Sequence, residues 1–185
     1  MPYLRLEAAA GLVKSGDVLC DVGSDHAYLP LMLIKNGVIE RAVACDVNAG
    51  PLERGRQHAA KQGVSSIEFV LSDGLGSVET PFDGAAICGM GGELIIRIIR
   101  EGGEKGKKRL ILQPMTGIEK VRAFLWQSGF AITDEVFPVE DGKAYCVIGA
   151  EFSGAVPDFS YADTYLGKIR PGGDGFTAWA KKICA

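Results

Sequence analysis

The sequence predicts an α/β fold, a mostly parallel sheet with helices on both faces. Three observations carry this. Helical and strand-like runs alternate from residue 3 to residue 128, the pattern of parallel strands joined through helices. Four strand-like runs end in an acid or in glycines and then turn, as in folds that bind a ligand outside the carboxyl ends of parallel strands. Two further β runs, 130–138 and 143–152, are joined by Val139-Glu140-Asp141-Gly142, a hairpin signal that closes the pattern with an antiparallel pair.

The chain has 185 residues, 47% of them apolar, enough to bury the core of one domain. A formal net charge of −3 does not announce a nucleic-acid partner for the surface as a whole, although a local basic patch is compatible with it. Five cysteines, at 20, 45, 88, 146 and 184, contain no C-x-x-C. They read as reduced residues of a cytoplasmic protein rather than as a disulfide or metal framework. No apolar run approaches a membrane span, and the N-terminus lacks the apolar core of a signal peptide.

Residues 3–14 read as a helix with Leu4, Ala8 and Leu12 on one face, ended by Ser15-Gly16-Asp17. Its first turn, with Arg5, is expected at the carboxyl end of the next strand. Arg5 either faces a ligand there or pairs with Glu7 or another surface carboxylate.

The central stretch is Val18-Leu19-Cys20-Asp21-Val22-Gly23-Ser24-Asp25-His26-Ala27-Tyr28-Leu29-Pro30. It reads as a buried strand, a sharp turn and the opening of a helix. Gly23 removes the side chain that would keep a ligand off the backbone. The pattern G-x-G-x-x-G is absent, which argues against a pyrophosphate on this helix and for a nucleoside-type ligand.

The second strand, 41–45, ends at Asp46, 25 residues after Asp21. That is close to the ~20-residue offset at which a carboxylate accepts from both ribose hydroxyls. The third strand, 67–71, runs into Asp73-Gly74, where Asp73 suits an adenine amino group and an Asp-Gly turn is the plain alternative. The fourth, 82–88, leads into Gly89-Met90-Gly91-Gly92 and a helix over 93–100; its bare backbone suits the mouth of a crevice. The basic run 104–109 precedes the fifth strand, 110–112, and so lies opposite the crevice as a solvated turn. Gln113-Pro114 follows on the ligand side, where the Gln amide either reads a base edge or holds backbone. A helix is expected over 118–128. The hairpin turn brings Lys143 and Tyr145 to the same side.

At these residues the chain resembles the bacterial tRNA (adenine-N1) methyltransferase family that modifies adenine 22, TrmK. The resemblance rests on Arg5-Leu6-Glu7, the run from Asp21 to Pro30, Ile87-Cys88-Gly89-Met90-Gly91-Gly92, Leu112-Gln113-Pro114, and Glu140-Asp141-Gly142-Lys143 with Tyr145. It implies a Rossmann-like class I methyltransferase with a seven-stranded sheet, order 3-2-1-4-5-7-6. It also implies S-adenosyl-L-methionine as cofactor and tRNA as partner. Asp21, Gly23 and Ser24 would then lie at the methionine end of the cofactor, Asp46 and Val47 at the ribose, Asp73 and Gly74 at the adenine, with Cys88 and Gly89 closing over it. Asp25, His26 and Tyr28 would be catalytic, with Arg5, Gly91, Gly92, Gln113, Pro114 and Tyr145 around the acceptor base. No metal is implied, and a monomer or weak dimer is expected.

N1 of neutral adenine carries a free lone pair, so the chemistry needs positioning more than a strong base. The Asn/Asp-Pro-Pro-aromatic turn of enzymes that methylate exocyclic amines is absent, in keeping with a ring nitrogen as nucleophile. Asp25 is placed to stabilise the charge that moves onto the base. Its alternative is a helix cap, and that of His26 and Tyr28 is packing. Residues 1–152 are read as the methyltransferase domain. Residues 153–185 are read as a linker with one short helix, over 175–182, where the family carries a longer helical extension. The alternatives are a methyltransferase-like module that holds S-adenosylmethionine without turnover, a methyltransferase acting on another RNA or small substrate, and a nicotinamide dehydrogenase, which lacks its phosphate-binding glycines here.

Overall fold

The computed structural model describes residues 4–168 and 173–184. Tyr3, in the expected first helix, and residues 169–172 of the expected linker lie outside the described residues, as does the side chain of Cys184.

The strands are β1 (Leu19–Val22), β2 (Ala42–Asp46), β3 (Ile67–Leu71), β4 (Gly84–Gly91), β5 (Arg109–Thr116), β6 (Phe130–Val136), β7 (Val139–Glu140), β8 (Lys143–Ala144) and β9 (Val147–Phe152). Seven of them form one sheet in the order β3-β2-β1-β4-β5-β9-β6. The first five are parallel, and β9 runs antiparallel to both β5 and β6. This is the expected order. The final strand is ninth in the chain because β7 and β8 pair only with each other, in a separate ribbon. Asp141 (φ +50) and Gly142 (φ +73) make its turn, the left-handed pair a tight two-residue hairpin needs.

The helices are α1 (Leu4–Ala10), α2 (Tyr28–Lys35), α3 (Ala49–Lys61), α4 (Gly92–Glu101), α5 (Ile118–Gln127), α6 (Tyr161–Leu166) and α7 (Gly173–Cys184). All four β1 residues are buried, and successive ones serve opposite faces, as strand geometry requires. Leu19 packs with Ala9, Leu29 and Leu33 of α1 and α2, while Cys20 and Val22 pack with Ile95 and Ile98 of α4. Ala27, Leu31 and Ala59 form a third cluster under α3.

Several boundaries differ from expectation. Helix α1 stops at Ala10, and turn hydrogen bonds, beginning with the Gly11 amide on the Glu7 carbonyl, carry the chain through Val13. Strands β4 and β5 run to Gly91 and Thr116, so Gly89 to Gly91 are strand and not a turn, and Gly92 already opens α4. Gly89 (φ +75) sits at a register shift between Cys88 and Met90, a bulge that re-aims the strand without ending it. The C-terminal segment holds two helices where one was expected. Helix α6 opens on a capping box in which Ser160 and Asp163 each accept from the other's amide.

The α6 segment is fastened by Arg122 of α5. Its guanidinium is fully buried, bonds Glu135 Oε1 at 2.7 Å, and donates to the carbonyls of Thr164 and Tyr165 at 2.9 and 2.7 Å. Helix α7 lays Trp179 and Phe176 against Phe137. The basic run forms a short 3₁₀ turn over Lys105–Lys107, away from the carboxyl ends, with Lys105 on the carbonyl of Gly76 at 3.1 Å.

Candidate active site

The turn after β1 is set by Gly23, whose φ of +76 suits glycine. The amides of Gly23 and Ser24 both donate to the Cys45 carbonyl, at 2.8 and 3.0 Å, and so fix the turn to β2. Ser24 Oγ donates to Asp21 Oδ2 at 2.5 Å. Both residues are buried beneath the turn. Burial pushes the Asp21 carboxyl up to about 6 against the opposing effect of the Ser24 bond.

His26 (φ +61) and Ala27 (φ +54) then take two successive left-handed conformations, unusual for residues with a Cβ. Ala27, not Asp25, occupies the N-cap position of α2, and it makes no side-chain cap. Pro30 stands in the first turn, where a helix does not need its missing N–H.

Freed from capping, the half-exposed Asp25 accepts from Arg54 of α3, Nη2 at 2.8 Å and Nε at 3.2 Å, with His26 Nε2 at 3.7 Å. The rings of His26 and Tyr28 stack with centroids 5.4 Å apart. The three residues assigned to catalysis therefore stand together on one strained turn.

Two cavities open along the carboxyl ends of β1 and β4. The narrower, about 100 Å³, is lined by Gly23, Asp46, Val47, Asp73, Gly74 and Met90. Asp46 Oδ1 accepts the Asn48 amide at 2.8 Å. Both oxygens of Asp73 accept from Arg97, at 2.8 and 3.1 Å, and these bonds hold its carboxyl below the usual range. The wider cavity, about 380 Å³, is lined by Arg5, Asp25, Cys88, Gly89, Gln113 and Glu140. Burial pushes the Cys88 thiol well up, so it faces this cavity as a neutral group. Gln113 is buried and holds backbone: its Oε1 accepts the Gly89 amide at 3.2 Å and its Nε2 donates to the Pro114 carbonyl at 3.1 Å. It fastens the β4 bulge to β5.

Arg5 meets both of its expected descriptions. It lies on the crevice side and pairs with a carboxylate, but that carboxylate is Glu140 of the β7–β8 ribbon. The Arg5 amide donates to Oε2 at 3.0 Å and Nε to Oε1 at 2.8 Å. Burial raises the Glu140 carboxyl, and the Arg5 bonds more than offset this and hold it low. The guanidinium also lies 4.5 Å from the centre of the Tyr145 ring, with Lys182 of α7 at 5.5 Å.

Pro114 and Tyr145 line a neighbouring cavity of about 120 Å³ with Trp179 and Lys182. Gly91 and Gly92 lie against the β5–α5 turn, where a side chain at 92 would come within 2.6 Å of the Gly117 carbonyl oxygen. Close packing of the β4–α4 junction against the β5–α5 turn and Val121 of α5 accounts for Gly92. Arg54, Arg97 and Glu140, with His58, whose Nδ1 lies 2.9 Å from the His26 carbonyl oxygen, contact the expected site residues, and sequence reasoning did not assign them to the site. Arg54 and His58 are four apart and share a helix face, which was readable; what that face meets was not. A larger cavity of about 590 Å³ lies between α3 and the amino end of β3, lined by Arg56, Val64 and Phe69, away from the carboxyl strand ends.

Residues 3–148 match the family model described as Methyltransferase domain. The chain belongs to that family. It is 39% identical over 151 residues to the tRNA (adenine(22)-N(1))-methyltransferase of Bacillus subtilis, covering 80% of this chain and 63% of the relative. Among solved structures it is similar to Streptococcus pneumoniae Sp1610, a candidate tRNA (m1A22) methyltransferase in complex with S-adenosyl-L-methionine. That likeness has a TM-score of 0.89 and 35% identity, over 98% of this chain and 88% of that one. The B. subtilis m1A22 tRNA methyltransferase TrmK matches with a TM-score of 0.76 and 36% identity, over 89% and 69%. Among the described residues, no group of three or more His, Cys, Asp or Glu could hold a metal ion, and no helix is long and apolar enough to cross a membrane.

Proposed function

We propose that this methyltransferase transfers a methyl group from S-adenosyl-L-methionine to N1 of adenine 22 in tRNA. The observation that carries the reading is the pair of cavities, which part at consecutive residues of β4: Gly89 belongs to the wider and Met90 to the narrower. A nucleoside lying along the strand-end acids thus directs its distal end toward the cavity that holds Asp25. The likeness to tRNA (m1A22) methyltransferases, one of them bound to S-adenosyl-L-methionine, supports both ligand and acceptor.

Asp46 is assigned to the ribose, with Val47 beside it, and Asp73 and Gly74 to the adenine. Gly23 and Gly74, both at positive φ, keep side chains out of the cradle. Asp21 and Ser24 support the turn from below. Bound there, S-adenosyl-L-methionine would supply its sulfonium methyl to the N1 lone pair, the S–C bond breaking to leave a neutral thioether. Positive charge then resides on the adenine, where the Asp25 carboxylate stabilises it. Tyr28 and His26 form the platform that sets the base, and Arg5 closes the cavity wall. Because N1 lies on the pairing edge, the nucleotide leaves its stack before reaction.

The test is methyl transfer from labelled S-adenosylmethionine to unmodified tRNA, followed by nucleoside analysis. One-methyladenosine at position 22 is expected. Asp25→Ala and Tyr28→Ala should keep cofactor binding and lose transfer by about 100-fold or more. Methylation at another atom, or none, sinks the reading; undiminished turnover in both variants sinks the roles.

A further inference from the structure

Two consecutive left-handed residues without glycine are strained and persist only where the surroundings hold them. At His26 and Ala27 the holding element is α3. Ala27 is fully buried, and α3 approaches it through Gly55, where a Cβ would stand 3.5 Å from that of Ala27 and 2.7 Å from the Phe69 ring. One turn on, His58 Nδ1 bonds the His26 carbonyl at 2.9 Å, and its ring meets that of Tyr28 edge-on with centroids 5.1 Å apart.

The sequence explains why that carbonyl needs a side-chain donor. Ala27 O accepts from the Leu31 amide, the first turn of α2. The His26 carbonyl would look to residue 30 in the same way, but residue 30 is proline and has no N–H. His58 supplies the missing donor, which commits its Nδ1 to carrying the proton.

We propose that His58 is a positioning residue for methyl transfer, holding the His26–Ala27 turn and, through it, the His26 and Tyr28 platform. The proposal rests on the acceptor role given to that turn above. Arg54, on the same face of α3, does for Asp25 what His58 does for its neighbours.

The test uses the full chain with His58→Phe, which keeps a ring against Tyr28 and removes the donor, and His58→Asn, whose amide nitrogen can donate from the place of Nδ1. His58→Phe is expected to lower kcat on unmodified tRNA about 10- to 100-fold with cofactor affinity unchanged. His58→Asn should recover most of the loss. Hydrogen exchange across residues 24–30 provides a readout that does not depend on turnover: faster in His58→Phe, restored in His58→Asn. If the wild-type chain methylates no adenine, the proposed function fails, and exchange alone decides whether His58 holds the turn. Unaltered exchange in His58→Phe overturns the inference. So does altered exchange with kcat intact in an active enzyme.

Discussion

The Cε methyl of Met90 fills the space that a side chain on Gly23 would need. At about 100 Å³ the narrow cavity falls short of the ~300–1,000 Å³ of small-molecule sites, and the nucleoside proposed to bind there would have to displace that methyl. Gly23→Ala should therefore weaken cofactor binding at least tenfold. It should also destabilise the fold by about 1 kcal/mol or more through its positive φ. Met90→Ala in the same chain should return part of the affinity and none of the backbone cost. Calorimetric titration and urea unfolding of the double-mutant cycle separate the two; strictly additive affinities would mean the residues act independently.

Asp46→Asn keeps an oxygen for the Asn48 amide and so should leave stability nearly unchanged. It removes the charge assigned above to the ribose hydroxyls, and a loss of about 1.5–2.7 kcal/mol in cofactor binding, roughly 10- to 100-fold, is expected by titration. Full affinity in the variant would remove Asp46 from the ligand.

Asp21 and Glu140 impose opposite pH dependences. The folded-state carboxyl of Asp21 is raised from 3.8 to about 6, so its ionisation works against the fold. That cost is absent below about pH 4, grows as pH rises to about 6, and reaches at most about 3 kcal/mol above it. Glu140 is held low, so its contribution is present above the ordinary carboxylate range and fades as pH falls below it. Asp21→Asn should abolish the first slope and leave the second. Urea unfolding at pH 4.5 and 7 checks this, and an undiminished decline between those values in Asp21→Asn would refute it.

Arg122→Ala removes the cationic partner of the fully buried Glu135 side chain and releases two α6 carbonyls. A loss of about 3–5 kcal/mol is expected, with faster hydrogen exchange across residues 161–166. Arg122→Met paired with Glu135→Leu should recover most of the stability without restoring α6 protection, because no donor then reaches Thr164 and Tyr165.

What could be read from the sequence follows from how local each cause is. Strands β1 to β3 announce themselves as apolar runs ending in acids, and the left-handed turn of the ribbon is written in Asp141-Gly142. The bulge at Gly89 stayed hidden, because a glycine carries no side-chain period to show that the strand continues. Helix α6 is only six residues long, and its one local sign was the Ser160-x-x-Asp163 box. The gathering of Asp25, His26 and Tyr28 was legible from their closeness in the chain. Their supports were not. Arg54 and His58 reach the turn only through the way α3 crosses it, and the Arg97 pairing with Asp73 depends on where α4 packs.

The contact between Arg5 and Glu140 spans 135 residues. On a ribosome adding about 5–20 residues per second, its first half waits roughly 7–27 s for its second. The residues that line the narrower cavity, from Val22 to Ile98, are thus all synthesised before Glu140 completes the wall of the wider one. On the proposed assignments, the residues that cradle the nucleoside are complete, during synthesis, before those that enclose the acceptor.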